Sequence, residues 1–149
     1  MTTLTISIEP SASTSVSEHV LGLLEESNAA LNFARAEKHF CATLRGPEGT
    51  IEGGIAARSF WGWLYIVALA IKPSWRGHGY GLRLLAEAEA WGRDCDCRNA
   101  WLMTMSFQAR EFYERAGYVV FAELPDYPDA ERRLFMRKSL EPSSPDASN

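Results

Sequence analysis

The sequence has little of what marks secreted, membrane-spanning or nucleic-acid-binding proteins. Its 3 cysteines in 149 residues are an odd number, which predicts no disulfide framework. No apolar run approaches the roughly 20 residues that a membrane-spanning helix needs, and residues 1–10 do not resemble a signal peptide. Lysine and arginine number 15 against 19 acidic residues, a balance that disfavours a general nucleic-acid binder. We therefore expect a reduced, cytoplasmic protein that binds no nucleic acid and no membrane.

Metal-ligand spacing is also nearly absent. Cys95 and Cys97 form a C-x-C pair, but no second Cys or His pair accompanies it, so we expect no metal.

Hydrophobic residues make up 46% of the chain and charged residues 23%, as in ordinary globular domains. We expect one domain over residues 1–140. The tail at 141–149 is rich in Pro, Ser and Asp, which predicts disorder.

Hydrophobic periodicity predicts alternating strands and helices, hence a mixed α/β fold around one sheet. Segment 63–72 is apolar on both of its faces, which is typical of a central strand covered on each side. The predicted elements, in order, are an edge strand at 3–8, a helix at 15–31, a hairpin at 39–61, the central strand, a helix after residue 81, a strand at 99–105, a helix at 107–117 and two closing strands.

A glycine-rich connection joins the central strand to the next helix. In "KPSWRGHGYGLRLL" (72–85), Gly77, Gly79 and Gly81 occupy alternate positions and Arg76 precedes them. Ordered glycine is entropically costly, so three together call for a reason. A strand followed by a glycine turn and a helix start gathers free backbone N–H groups at the positive end of the helix dipole, an arrangement that binds phosphate. Neither the Walker pattern nor the dinucleotide fingerprint fits this spacing.

Two motifs together resemble the GNAT acetyltransferase superfamily. R-G-x-G-x-G looks like the family's acetyl-coenzyme A pyrophosphate loop. Downstream, "SFQAREFYERAGY" (106–118) is similar to the second signature of the family, although a serine stands where asparagine is common. The matching residues of that signature are Ala109, Tyr113, Gly117 and Tyr118. The resemblance implies a central mixed, mostly antiparallel sheet of six to seven strands flanked by about four helices.

The resemblance also implies roles for individual residues. The strand backbone would pair with the pantetheine arm, and the glycine-rich segment would hold the pyrophosphate. Tyr113 would be the general acid that protonates the departing thiolate, and Ser106 would contact the pantetheine or a water molecule. The residues implied in coenzyme binding are Leu69, Ala70, Ile71, Arg76, Gly77, His78, Gly79, Tyr80, Gly81, Leu82 and Ser106. We expect His78 to act through its backbone and not as a catalyst.

The group that takes the acceptor's proton is left open by the sequence. An acid often stands in relatives where this chain has Val67, and "WLYIVALAI" contains none. We expect water or a relay, with Tyr65 or an acid of the loop before the last strand as alternatives. The acids of that loop are Glu123, Asp126, Asp129 and Glu131. Four aromatic residues are a candidate wall for the acceptor: Phe60, Trp61, Trp63 and Tyr65.

The function expected from the resemblance is transfer of acetyl from acetyl-CoA to a primary amine, by direct transfer in a ternary complex. The acceptor expected is a small-molecule amine, which the negative net charge mildly favours, and a homodimer is allowed for. One alternative is a non-catalytic acyl-CoA sensor or scaffold, supported by the missing strand carboxylate. Another is a peptide or protein N-acetyltransferase.

Overall fold

The computed structural model describes residues 4–9 and 14–141, in two compact units that meet in the chain at Ala36 and Glu37. The first unit contains helix α1 (Thr14–Ala30), close to the predicted 15–31. The edge strand predicted at 3–8 is wrong for its described part, since residues 4–9 form no strand. An alternating pattern becomes a strand only when a neighbouring strand pairs with it, and the sheet contains no such partner for residues 4–9.

The second unit is a six-stranded sheet with two α-helices, all after residue 36. Its elements are β1 (Lys38–Arg45), β2 (Ile51–Phe60), β3 (Trp63–Ile71), α2 (Tyr80–Asp94), β4 (Asn99–Met105), α3 (Arg110–Arg115), β5 (Val119–Leu124) and β6 (Arg133–Ser139). The strand order is β1-β2-β3-β4-β6-β5. Only β3 and β4 are parallel, so the mixed, mostly antiparallel sheet is confirmed. Three α-helices are present in the described ranges, fewer than the expected four.

Helix α2 packs on the sheet through one apolar stripe. Leu85 and Ala88 are fully buried, and a Cβ added to Gly92 would lie 3.0 Å from the Leu64 side chain. The helix also buries a carboxylate: Glu89 is 4% exposed, and Lys138 of β6 donates to it at 2.8 Å. A buried charge needs such a partner, so this ion pair joins α2 to β6.

The two central strands separate halfway along their length. β3 pairs with β4 only over Trp63–Ile66 and Asn99–Leu102. Farther on, β3 continues with β2 to Ile71, and β4 continues with β6 to Met105. We call the space between residues 67–71 and 103–106 the split. The prediction of a central strand covered on both faces is therefore wrong for its second half, where Val67 is 39% exposed.

Candidate active site

Beyond Ile66, the edge of β3 that faces the split pairs with no strand of the described sheet. The Lys72 N–H donates to the Glu52 carbonyl of the hairpin at 2.9 Å, so Lys72 faces β2. The backbone N–H and C=O groups of successive strand residues point to opposite edges of the strand. Those of Ala70 therefore also point to β2, whereas those of Leu69 and Ile71 point to the split. The Ile71 carbonyl agrees with this assignment, since it accepts a hydrogen bond from Arg76 Nε at 2.9 Å. Of the three strand residues implied by the resemblance, two thus present their backbone to the split.

The glycine loop, residues 76–82, lies at the end of β3. A 3₁₀ turn (Pro73–Trp75) leads into it, and α2 begins at Tyr80, two residues before the helix start predicted after residue 81. Gly77 and Gly79 have φ of +78° and +79°, a conformation that other residues adopt only at a cost. Nothing lies within 4 Å of a Cβ added at either position. Their open side leaves room for a ligand to approach the backbone.

Gly81 has a different reason to be glycine. A Cβ there would lie 3.1 Å from the ring of Phe112 on α3, which is closer than ordinary packing. The Gly81 position therefore brings α3 against the first turn of α2. Two of the three glycines open the loop, and the third allows the helices to pack.

Two polar side chains brace the loop from within. Arg76 is exposed and ties the loop to β3 through the bond from its Nε to Ile71. The exposed His78 ring lies with Nδ1 2.9 Å from the Arg76 carbonyl and 3.3 Å from the Trp75 carbonyl. His78 therefore holds the shape of the loop. No side chain of the described residues caps the first backbone N–H groups of α2.

Tyr113 lies in the core on α3 and is 7% exposed. Its ring packs edge-on against Phe112 and Tyr118, which locks its position. Burial raises the pKa of the Tyr113 phenol, so the group stays protonated at neutral pH and can act as a proton donor. Among residues 4–9 and 14–141 its hydroxyl has no hydrogen-bond partner. The Tyr113 ring is thus held by packing, and its phenol proton is available for donation.

Ser106 follows β4 directly and joins the split to the loop before β6. Its backbone N–H donates to the Arg132 carbonyl at 2.8 Å, and its hydroxyl accepts from the Arg132 N–H at 2.8 Å. The same hydroxyl donates to the carboxylate of Glu131. The sequence named Glu131 only as one of four loop acids. Its contact with Ser106, 25 residues away, has no signal in the sequence.

The four aromatic residues predicted as one wall lie at the end of β2, in the following turn and in the first half of β3. Phe60 and Trp61 contact each other at the turn between β2 and β3, at the end of β3 away from the glycine loop. Eight residue steps separate Trp63 from Ile71, about 26 Å at the usual strand rise. Tyr65 instead stacks on Trp101 of β4 at 4.4 Å between ring centroids. Trp101 was missed, although its alternation with buried Ala100 and Leu102 places it on the same face as Tyr65.

Comparison with known proteins identifies the family to which the chain belongs. The acetyltransferase (GNAT) family model matches residues 8–118, so the chain belongs to that family. It is 40% identical over 84 residues to blasticidin-S acetyltransferase of Streptomyces morookaense, covering 56% of this chain and 62% of that protein. It is 32% identical over 76 residues to aminoglycoside N(6')-acetyltransferase type 1 of Stenotrophomonas maltophilia, covering 50% of this chain and 44% of that one.

A solved structure of an acetyltransferase from Bacillus cereus superposes with a TM-score of 0.80 at 26% identity, covering 89% of this chain and 97% of that one. The curated relatives are matched over about three fifths of their length or less. No helix in the described part of the chain is long and apolar enough to cross a membrane.

Proposed function

We propose that the protein transfers an acetyl group from acetyl-CoA to the primary amine of a small molecule, directly within a ternary complex. The observation that carries the proposal is the split, where an edge of β3 that pairs with no strand of the described sheet leads directly into the glycine loop. A pantetheine arm is an extended chain of amides. It pairs with such an edge as an added strand does.

The backbone of β3 supplies the electrostatic part of the reaction. With the pantetheine along the split, the N–H groups of Leu69 and Ile71 face it, and one of them meets the thioester carbonyl. A fixed donor there stabilises the negative charge that develops on the oxygen during attack. The pyrophosphate then rests on residues 76–82, where Gly77 and Gly79 leave the backbone open and Arg76 adds a positive charge.

Two side chains complete the coenzyme site. Tyr113 donates a proton to the leaving thiolate, a role supported by its fixed ring and its protonated phenol. Ser106 uses its hydroxyl proton for Glu131 and accepts from Arg132, which leaves one lone pair for an amide of the pantetheine. Tyr113 therefore acts at the sulfur and Ser106 on a pantetheine amide, while the backbone acts at the thioester carbonyl.

The acceptor we propose is a small cationic amine. Two of the relatives are named for the antibiotics that they acetylate, which supports a small molecule over a peptide. The described cysteines are all free thiols, in keeping with the reducing cytoplasm that we propose as the location. A homodimer remains part of this proposal, to be measured by light scattering.

Calorimetry with acetyl-CoA and a coenzyme-release assay with a panel of amines test the proposal. We expect binding, and release of coenzyme A that depends on an added amine. Binding without release by any small amine or peptide would favour the acyl-CoA sensor. Release with peptides alone would favour a peptide acetyltransferase. Absence of any binding heat, with no shift in melting temperature, would overturn the coenzyme site itself.

A further inference from the structure

We infer that Glu131 is the carboxylate that receives the acceptor's ammonium group and takes the proton it loses. This inference rests on the proposed function, because it places the acceptor at the mouth of the split. Ser106 is the first residue after β4, at the end where β3 and β4 have separated. Since the Ser106 hydroxyl holds the Glu131 carboxylate, that carboxylate lies at the same mouth.

Among the described residues, Glu131 is the one acid of the four candidates that is half-buried and also forms no ion pair. Glu123 is paired with Arg132 at 3.2 Å, whereas within residues 4–9 and 14–141 Glu131 forms no ion pair. A neutral hydroxyl is its side-chain partner, and the residue is half-buried. A partly desolvated carboxylate without a counter-ion attracts a cation from solution. Asp126 and Asp129 are exposed residues of the same loop, where water screens their charge.

The loop backbone holds Glu131 in this place. The Tyr127 N–H donates to the Glu131 carbonyl at 3.0 Å, and the Glu131 N–H donates to the Pro128 carbonyl at 2.9 Å. With Ser106 these bonds fix both the main chain and the side chain of the residue. A preorganised carboxylate costs little to order when the ammonium arrives.

The proton balance follows from this position. The ammonium gives one proton to Glu131, and the freed lone pair attacks the thioester carbon. The C–N bond forms and the C–S bond breaks, so the sulfur leaves with the bonding electrons. A second proton of the original ammonium reaches the thiolate by way of the Tyr113 phenol, and the third stays on the amide. Glu131 then releases its proton to solvent.

A pair of coenzyme thioethers tests the inference without knowledge of the natural acceptor. S-(2-aminoethyl)-coenzyme A carries an ammonium close to where the attacking nitrogen would stand, and S-propyl-coenzyme A has nearly the same shape without the charge. By calorimetry, we expect the wild type to bind the amino analogue about tenfold or more tighter, the size of one charge-assisted hydrogen bond. Glu131→Gln should bind both analogues equally, and Glu131→Asp should keep part of the preference.

Glu123→Gln is the matched control, since it removes a β5 carboxylate that is already paired with Arg132, and it should keep the full preference. A wild type without preference, or a Glu131→Gln variant that keeps it, overturns the inference and leaves the coenzyme site intact. If acetyl-CoA and both analogues fail to bind the wild type, the proposed function falls and the inference falls with it.

Discussion

Gly79 offers a sharp test of the glycine loop, because stability and binding respond to its replacement by different mechanisms. Its φ of +79° costs another residue about 1–2 kcal/mol. Replacing glycine also restricts the unfolded chain, which offsets about 0.4–1 kcal/mol. No atom within 4 Å meets the new Cβ, so Gly79→Ala should lose about 1 kcal/mol. Gly79→Val should lose more because of its branched side chain. A domain stable by about 5–15 kcal/mol remains folded.

Binding should suffer far more than stability, because the Cβ occupies the open side from which a diphosphate reaches the backbone. Losing even one hydrogen bond to a charged oxygen weakens binding about tenfold or more, so we expect Gly79→Val to abolish measurable acetyl-CoA binding. Calorimetry measures the affinity, and urea unfolding measures the stability of the same sample. Gly79→Asn separates conformation from bulk, since asparagine tolerates positive φ but still carries a Cβ.

Gly49 in the β1–β2 turn is a matched control for these variants. It has φ of +80° and an equally open Cβ position, but it lies outside the glycine loop. Gly49→Val should therefore lose stability as Gly79→Val does and bind acetyl-CoA as the wild type does. Wild-type affinity in Gly79→Val would refute the reasoning, and equal loss of affinity in both variants would assign the effect to stability.

Two further predictions concern the buried tyrosines. Tyr113→Phe keeps the packed ring and removes the proton donor, so kcat should fall about 10²–10⁴-fold with little change in acetyl-CoA affinity; an unchanged kcat would assign Tyr113 to packing alone. Burial and the nearby Glu89 raise the pKa of Tyr118 above its usual 10.0. The stability from its protonated phenol is therefore constant below about pH 10 and falls above it, as the unfolded phenol ionises first. The buried Tyr118 hydroxyl has no hydrogen-bond partner among the described residues, so Tyr118→Phe should not lower the free energy of unfolding at neutral pH. The same variant should reduce the loss of stability above about pH 10. Urea unfolding across the pH range measures both effects, and an unchanged alkaline loss of stability would contradict the assignment.

Local features of the site could be predicted from the sequence. Gly77 and Gly79 mark a backbone with positive φ, and Gly117, with φ of +96°, closes the helix that carries Tyr113. These features follow from steric limits on single residues and from helical or strand periodicity. The family resemblance rests on the same short motifs. The family assignment and the order of strands and helices after residue 36 are therefore properties of the sequence by itself.

Tertiary structure decided which distant segments meet. The separation of β3 from β4 after Ile66 and Leu102 exposes Val67, although the strand's apolar sequence predicts burial. Residues 4–9 alternate like a strand but form none. Glu131 is distinguished from the other three candidate acids by its partial burial and its bond to Ser106. Strand pairing and side-chain contacts between remote segments depend on the whole packed sheet, because each forms only where another part of the chain supplies its partner.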